Sequence, residues 1–241
     1  MLMFRSAEDR GVTKTPWLTS YHSFSFNQYY DPSNMGIGSL RVLNDDHVSP
    51  GEGFQTHGHQ DAEIISYVTQ GRMTHKDSMG ESYTLNTGDF QVMSAGTGIT
   101  HSEFNASQTD PMSFIQIWLW PNVRGLKPSW KQQHFEPIKG LQLIAAPVNE
   151  VSGDVLPIHQ DVRIYRLRLQ EGEDLTLTPE GQRFFYLHLI EGGLQLDEHK
   201  PVGKKLKSGD GFAQAEQFSL ISTQNSEALI FDLHQCSGRR P

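Results

Sequence analysis

Short segments rich in β-branched and aromatic residues alternate with turn-forming residues along most of the chain. Residues 64–68 form one such apolar run before Gly71, and residues 114–120 alternate in polarity before Pro121. Alternation with a period of two is typical of a half-buried β-strand, and glycine or proline at its end indicates a turn. No long segment repeats its apolar residues with the 3.6-residue period of a helix. The pattern therefore predicts an all-β fold.

The same alternation returns in the second half of the chain. Tyr165, Leu167 and Leu169 would lie on one face of a strand, and Arg166 and Arg168 would lie on the other. One apolar face and one charged face are typical of antiparallel strands that have one side in solvent. We therefore expect antiparallel sheets in both halves.

Several aromatic residues have two interpretations. Phe24 and Phe26 would share one face of an extended strand, which predicts burial, whereas a ligand-binding aromatic platform is the alternative. Phe54 and Phe104 lie close in sequence to the candidate ligands described below and could line an apolar pocket. Because the interior of a β-barrel is apolar in any case, we predict that these residues mainly form the core.

A shift of 121 positions aligns turn residues of the two halves. The matched positions are Gly51 with Gly172, Gly71 with Gly192, and Gly88-Asp89 with Gly209-Asp210. Self-similarity at one fixed offset is expected of a tandem architecture. Residues 121–137 contain Gly125 and Pro128 and have the composition of a linker. We therefore predict two domains, residues 1–136 with the linker from about residue 121, and residues 137–241.

Composition and charge exclude some classes of partner. The 241 residues include 28 acidic and 20 basic side chains, and the net charge of −8 repels the phosphate backbone of nucleic acids. The single cysteine, Cys236, cannot form an internal disulfide, which is consistent with a reducing compartment. Charged residues closely follow the N-terminus, and no apolar run reaches membrane-spanning length. We expect a cytoplasmic protein that binds neither nucleic acid nor membrane.

Four polar residues have the spacing of one metal site. His57 and His59 are separated by one residue, as are His101 and Glu103. Two residues with this spacing point to the same face of a β-strand, so each pair can direct two side chains at one point. Three imidazoles and one carboxylate suit a divalent transition metal, and the thiolates of a closed structural zinc site are missing. The spacing therefore predicts a reactive, partly open metal site.

The second half lacks the corresponding ligands. The same shift replaces His57 by Thr178, His59 by Glu180, His101 by Ser222 and Glu103 by Gln224. The first domain should therefore hold the metal, and the second should supply packing, a lid or one wall of a cleft.

Together these stretches resemble the pirin family of the cupin superfamily, and most closely the bacterial pirins associated with quercetin 2,3-dioxygenase activity. The matching segments are residues 17–26, 30–32, 40–46, 57–59, 63–67, 75–80 and 96–103. The second half is matched mainly by residues 209–211 and by its length. The resemblance implies a bicupin, which consists of two antiparallel β-barrels of the jelly-roll type packed face to face, with one metal in the N-terminal barrel.

The resemblance leaves two glutamates as the acidic ligand. The general cupin pattern places this ligand four residues after the second histidine, at Glu63, whereas the pirin pattern places it two residues after the third, at Glu103. We favour Glu103 because its spacing from His101 gives a shared strand face. Glu63 would then support the ligands or the fold. His75 begins a segment whose composition indicates a hairpin turn, and we leave it outside the site.

The resemblance implies a metal-dependent dioxygenase that opens the ring of flavonols such as quercetin with dioxygen and releases carbon monoxide. We expect one divalent metal, iron first, with nickel, manganese, cobalt, copper and zinc as alternatives. The metal would bind and acidify the flavonol 3-hydroxyl group, and Glu103 would be the catalytic base that takes its proton. The expected partners are a flavonoid substrate and dioxygen, and the expected state is a monomer.

Two other functions stay open at this point. Eukaryotic pirins are thought to act in transcriptional regulation, and resemblance to them implies a redox-sensing metalloprotein that works by binding another protein. Because cupin barrels host many reactions, the third function is that of an oxygenase or isomerase for another small metabolite. Loss of dioxygen-dependent quercetin consumption on metal removal would favour the enzyme, and a change in partner affinity on metal oxidation would favour the sensor.

Overall fold

The computed structural model describes residues 1–80, 82–197 and 204–235, so Cys236 lies outside the described residues. In this part of the chain the regular structure consists of strands and one short 3₁₀-helix, Ala7–Asp9. The strands are β1 Met3–Arg5, β2 Gly11–Lys14, β3 Leu18–His22, β4 Leu40–Val48, β5 Gly53–His59, β6 Glu63–Gln70, β7 Arg72–Asp77, β8 Ser82–Asn86, β9 Asp89–Ser94, β10 Ile99–Asn105, β11 Met112–Leu119, β12 Ser129–His134, β13 Gly140–Pro147, β14 Leu156–Ile158, β15 Val162–Leu169, β16 Asp174–Leu177, β17 Arg183–Glu191, β18 Gly193–Asp197, β19 Lys205–Lys207, β20 Gly211–Gln214, β21 Phe218–Ser222 and β22 Ser226–His234.

The chain forms two compact units. The N-terminal unit contains Gly11–Glu136 and Pro147–Gln160, and the C-terminal unit contains Met1–Arg10, Pro137–Ala146 and the described residues from Asp161 onward. The domain boundary at residue 136 stays a prediction. None of the described residues belongs to a helix that is long and apolar enough to cross a membrane.

Each unit consists of two antiparallel sheets, which confirms the predicted all-β class. In the N-terminal unit the strand orders are β12-β9-β6-β11-β4-β3-β2 and β5-β10-β7-β8. In the C-terminal unit the orders are β1-β20-β17-β22-β15-β13 and β16-β21-β18-β19. Strands β4 to β11 thus correspond, in the same order, to β15 to β22. The place of β12 beside β9 is taken by β1 beside β20.

The glycines aligned by the 121-residue shift have matching backbone conformations. Gly71 and Gly192 have φ of +78° and +89°, in the left-handed region that L side chains rarely adopt. At both positions a Cβ atom would also meet a backbone carbonyl oxygen, that of Pro111 at 2.6 Å from Gly71 and that of Asn225 beside Gly192. The aligned acidic residues Asp89 and Asp210 each accept a hydrogen bond from the amide three residues earlier. The shift therefore aligns equivalent turns.

Three local expectations need correction. The predicted linker contains β12, which pairs with β9 because Trp130 has a buried partner there, its Nε1 donating to Gln91 Oε1 at 3.0 Å. Phe24 and Phe26 follow the end of β3 instead of forming a strand, although Phe24 is fully buried as expected. Arg166 is 2% exposed, because Gln142 beside it accepts its guanidinium hydrogen bonds.

The matched turns generate a stability prediction. Gly192→Ala should lower the free energy of unfolding by about 3 kcal/mol, because it adds a clash with the Asn225 carbonyl to the cost of a positive φ. Gly172 has a similar φ of +82°, but a Cβ atom there would have no neighbour within 4 Å, so Gly172→Ala should cost only about 1 kcal/mol. Urea denaturation of both variants measures the difference, and equal losses would contradict the crowding at Gly192.

Candidate metal centre

Strands β5 and β10 bring three histidines together. The two strands pair antiparallel with His101 directly opposite His57, and His59 lies two residues further along β5 on the same face. The imidazole centroids are 4.5 Å apart for His57 and His101, 4.8 Å for His57 and His59, and 4.9 Å for His59 and His101. One nitrogen from each ring lies within 4.8 Å of the other two. The three rings therefore converge on one point.

His59 and His101 have the protonation state that metal binding requires. The pKa of His101 is lowered to about 3, mainly by burial and also by charge repulsion from the neighbouring His57 and His75. Burial, together with His101 and His57, lowers the pKa of His59 to about 4. Both rings are thus neutral at pH 7, and His101 Nδ1 and Nε2 and His59 Nε2 are buried without a hydrogen-bond partner. Buried, unpaired imidazole nitrogens of this kind fit a divalent transition metal.

The carboxylate of Glu103 is buried beside His101 and held by three donors. A β-bulge follows His101, and Glu103 is only 1% exposed. Gln91 Nε2 donates to Oε1 at 2.9 Å and Gln116 Nε2 donates to Oε2 at 3.2 Å, while the Ser66 hydroxyl is 3.2 Å from Oε1. Because hydrogen bonds to a buried carboxyl group offset the cost of its burial, these donors fix the place of the group.

His75 belongs to this region, and its assignment to a hairpin turn was wrong. It lies within β7, opposite Glu103 on β10, and is fully buried. Its donor nitrogen forms a second set of potential ligand atoms with His101 and Glu103, again within 4.8 Å of one another. Glu103 is therefore grouped with His101 and His75, and the three histidines found from the sequence form the other set. His101 is common to both sets.

Glu63, the alternative acidic ligand, has other partners. Its Oε2 accepts hydrogen bonds from the Ser94 hydroxyl at 2.8 Å and from the His159 amide at 3.1 Å. Burial raises the pKa of Glu63, and these two hydrogen bonds partly oppose that rise. Among the described residues Glu63 is in neither set of potential metal ligands, whereas Glu103 is in one of them.

The donors to Glu103 are part of a row of polar side chains that crosses five strands. We define the polar row as the residues that face one another in register across β9, β6, β11, β4 and β3, namely Gln91, Ser66, Gln116, Asn44 and His22. All five are buried, with exposures from 0% to 7%. His22 Nδ1 and Asn44 Oδ1 are 2.8 Å apart, and the Ser66 hydroxyl lies 2.6 Å from Gln116 Oε1. The inner face of this sheet is thus polar where it approaches the candidate ligands.

The C-terminal unit has apolar residues at the same places. We define the apolar row as the corresponding residues of β20, β17, β22, β15 and β13, namely Phe212, Leu187, Ile230, Tyr165 and Leu143. Phe212, Leu187 and Ile230 belong to the hydrophobic core cluster of that unit, and Tyr165 packs against it. In the described part of this unit no group of three potential ligands occurs. The same architecture therefore exists once with a polar interior and once without.

The sequence contained a signal for the residues that spacing alone missed. The 121-residue shift replaces Gln91 by Phe212, Ser66 by Leu187, Asn44 by Tyr165, His22 by Leu143 and His75 by Leu196. Each of these five residues is matched by an apolar or aromatic residue that can fill a barrel interior, whereas the shift takes Gln116 to Ser237, outside the described residues. A comparison of the two halves, position by position, thus identifies buried polar residues that no pattern within one half reveals.

A cavity of about 90 Å³ adjoins the ligands and is partly open to solvent. Its apolar and aromatic walls are Leu18, Phe26, Phe54 and Trp118, and its polar walls include Thr13, Ser20, His22, Asn44, Asp46, His57, Glu103 and Gln116. Phe26 and Phe54, predicted mainly as core, therefore also face the cavity. The pKa of Asp46 is raised to about 7, mainly by burial and also by the charges of Asp45 and Glu103, while Ser20 and His47 partly oppose the rise.

Comparison with known proteins identifies clear relatives. Residues 4–119 match the family model described as Pirin, and residues 143–233 match the model described as Quercetinase C-terminal cupin domain. A protein of Escherichia coli strain K12 named Quercetin 2,3-dioxygenase is 39% identical over 235 residues, covering 97% of this chain and 99% of that protein. The crystal structure of YhhW from Escherichia coli matches with a TM-score of 0.92 and 38% identity, covering 99% of this chain and 100% of that chain. The crystal structure of bacterial pirin YhhW from Escherichia coli in complex with nickel(II) matches with a TM-score of 0.91 and 38% identity, covering 98% of this chain and 100% of that chain.

These matches confirm the expectation of two cupin-type domains in an all-β chain. They extend over nearly the full length of this chain and of the relatives, so both units are included. The nickel complex shows that a structure similar to this one holds a divalent metal.

The raised pKa of Asp46 generates a pH-dependent prediction. An ordinary Asp has a pKa near 3.9, so between about pH 4 and pH 7 the folded protein keeps a proton that the unfolded chain releases. The free energy of unfolding therefore falls as the pH rises through this window, and Asp46→Asn removes that loss. Without metal, the variant should match the wild type near pH 4 and exceed it by up to about 4 kcal/mol at pH 8.

Urea denaturation at a series of pH values, after removal of metal by a chelator, measures this difference. Asp45→Asn is the matched control, because Asp45 lies next along β4 on the opposite, half-buried face and pairs with His47. Because the charge of Asp45 is one of the smaller causes of the raised Asp46 pKa, this control should gain far less at high pH than Asp46→Asn does. A gain for Asp46→Asn that is the same at pH 4 and pH 8 would contradict the raised pKa.

Proposed function

Because the chain belongs to the pirin family, we propose that it is a metal-dependent dioxygenase that opens the ring of flavonols such as quercetin and releases carbon monoxide. The observation that supports this most directly is the convergence of three histidines, of which His101 is buried, beside a cavity with aromatic walls. Neutral imidazoles provide ligands for a metal, and the cavity can accept a planar aromatic molecule. The relative named Quercetin 2,3-dioxygenase supports the choice of substrate class.

We assign His57, His59, His101 and Glu103 as the ligands of one divalent metal. The assignment of Glu103 is supported by its place beside His101 on β10 and by its presence in a set of potential ligand atoms from which Glu63 is missing. Iron is our first expectation, and nickel, manganese, cobalt, copper and zinc are alternatives, because imidazole and carboxylate ligands accept all of them. Monomeric state and cytoplasmic location stay predictions.

When bound, the metal would lower the pKa of the flavonol 3-hydroxyl group. We propose that Glu103 accepts the proton; this role is supported by its buried carboxyl group, which lines the cavity and is kept in position by Gln91 and Gln116. Trp118 and Phe54 line the same cavity and would bind the aromatic rings while excluding water. The protein thus contributes a fixed proton acceptor and an apolar binding site.

The first test compares a ligand variant with an exposed histidine. Protein of known metal content should consume quercetin and release carbon monoxide only in the presence of dioxygen. His59→Ala should lower both metal affinity and turnover by roughly 100-fold or more. Mutation of a residue that only hydrogen-bonds to a metal ligand already lowers metal affinity or activity by about 10- to 100-fold. His234→Ala, at an exposed histidine in the C-terminal unit, should leave both unchanged. A fully active His59→Ala protein would contradict the proposed ligand set.

The second test separates the two buried glutamates. Glu103→Gln should retain most of the metal through the histidines but reduce turnover by about 100-fold or more, because an amide cannot accept the 3-hydroxyl proton. Glu63→Gln should retain both metal and turnover, since Glu63 bonds to Ser94 and to the His159 amide. Metal analysis and carbon monoxide release measure the two properties separately. The reverse result, with Glu63→Gln inactive and Glu103→Gln active, would reassign the base to Glu63.

A further inference from the structure

Asp46 is a buried acidic residue that the proposed metal site does not use. It lies on β4 opposite Ser20 of β3 and Phe114 of β11, is 3% exposed, and lines the cavity shared with Glu103 and His57. Its Oδ1 atom is buried and has no hydrogen-bond partner. An acceptor left unpaired away from water carries a free-energy cost, so its retention calls for an explanation.

The neighbouring polar groups are already paired. Ser20 donates a side-chain hydrogen bond to Asp46, which leaves Oδ1 as the open acceptor. His22 bonds on one side to Asn44, with Nδ1 and Oδ1 2.8 Å apart, and on the other to Thr13, with Nε2 and Oγ1 2.8 Å apart. These contacts hold the polar wall in place. Because Asp46 lines the cavity, a molecule bound there can supply the donor that the neighbouring side chains do not.

The fold itself does not require an acid at this place. The 121-residue shift replaces Asp46 by Leu167, which is 1% exposed and part of the hydrophobic core of the C-terminal unit. A leucine at the same point of the same architecture thus packs without any polar partner. Asp46 is also outside both sets of potential metal ligands. Neither folding nor metal binding accounts for it.

The shape of the cavity indicates what the partner is. Phe26, Phe54 and Trp118 provide aromatic walls, while Glu103 and His57 belong to the metal-binding side. A planar aromatic ligand held at that side would extend along these walls towards the polar wall that contains Asp46. A carboxylate oxygen at such a wall accepts hydrogen bonds, so the ligand must carry a donor remote from the metal.

We propose that Asp46 is a specificity-determining residue that accepts a hydrogen bond from a hydroxyl group on the rings of the substrate, remote from its 3-hydroxyl. The inference rests on the proposed flavonol-binding function and deepens it, since it selects polyhydroxylated flavonols over flavonols that carry the 3-hydroxyl alone. The 3-hydroxyl is left to the metal and Glu103.

Equilibrium binding of two ligands to metal-loaded protein without dioxygen tests this inference. The ligands are quercetin and 3-hydroxyflavone, which lacks the remaining hydroxyl groups of quercetin. Wild-type protein should bind quercetin more tightly. Asp46→Ala should weaken quercetin binding by about 10-fold, as expected for loss of a hydrogen bond, and change 3-hydroxyflavone binding by less than about twofold. Asp45→Ala, on the opposite face of β4, should leave both affinities unchanged.

Metal content and melting temperature are measured for each variant, and Asp46→Asn, which keeps a carbonyl acceptor, replaces Asp46→Ala if the latter does not fold. The quercetin affinity of Asp46→Asn should lie between the affinities of the wild type and of Asp46→Ala. Equal losses for both ligands, no loss for quercetin, or no binding by the wild type would overturn the inference. Turnover is measured separately: an inactive protein that shows the predicted selectivity refutes only the proposed reaction, whereas an active protein without it refutes only the role of Asp46.

Discussion

The arrangement of the site depends on keeping one carboxylate buried. Glu103 is almost completely removed from water, and an ionised carboxylate is tolerated there only if donors replace its hydration. Gln91, Gln116 and Ser66 provide these donors from three different strands of the facing sheet. The polar row is therefore a requirement that the buried charge imposes on the whole width of that sheet. Replacing any one donor would leave an unpaired group in an interior where such groups are costly.

Strand register makes this requirement possible. Because side chains alternate between faces, a one-residue slip of β6 or β11 would turn Ser66 or Gln116 away from Glu103. The aligned glycines fix the turns that set this register in both units, with the same left-handed backbone conformation. The C-terminal unit uses the same turns and strand order but has the apolar row inside. Both units therefore share the strand register, whereas only the N-terminal unit has the polar row. The fold does not require polar residues at these positions.

The sequence predicted those parts that depend on spacing along one strand. Strand periodicity placed His57 with His59 and His101 with Glu103, and punctuation by glycine predicted the all-β class and the repeated turns. Prediction from the sequence failed where the position of a residue depends on contacts with a neighbouring strand. The segment around His75 looks like a turn on its own, yet β10 buries it opposite Glu103. The apparent linker likewise became β12 because of contacts across the sheet.

Stability and function place opposite demands on the polar row. Buried polar networks rarely stabilise a fold more than well-packed apolar side chains of similar volume, and the C-terminal unit demonstrates that apolar side chains fit these places. Drift towards apolar residues at Ser66 or Asp46 would therefore be tolerated by the fold and would remove the groups that hold or select a ligand. The difference between two otherwise equivalent units marks where the chain retains polar groups despite their cost. That difference identifies the site independently of the histidine spacing, because it includes residues such as Gln91 and Asn44 that no metal-ligand pattern contains.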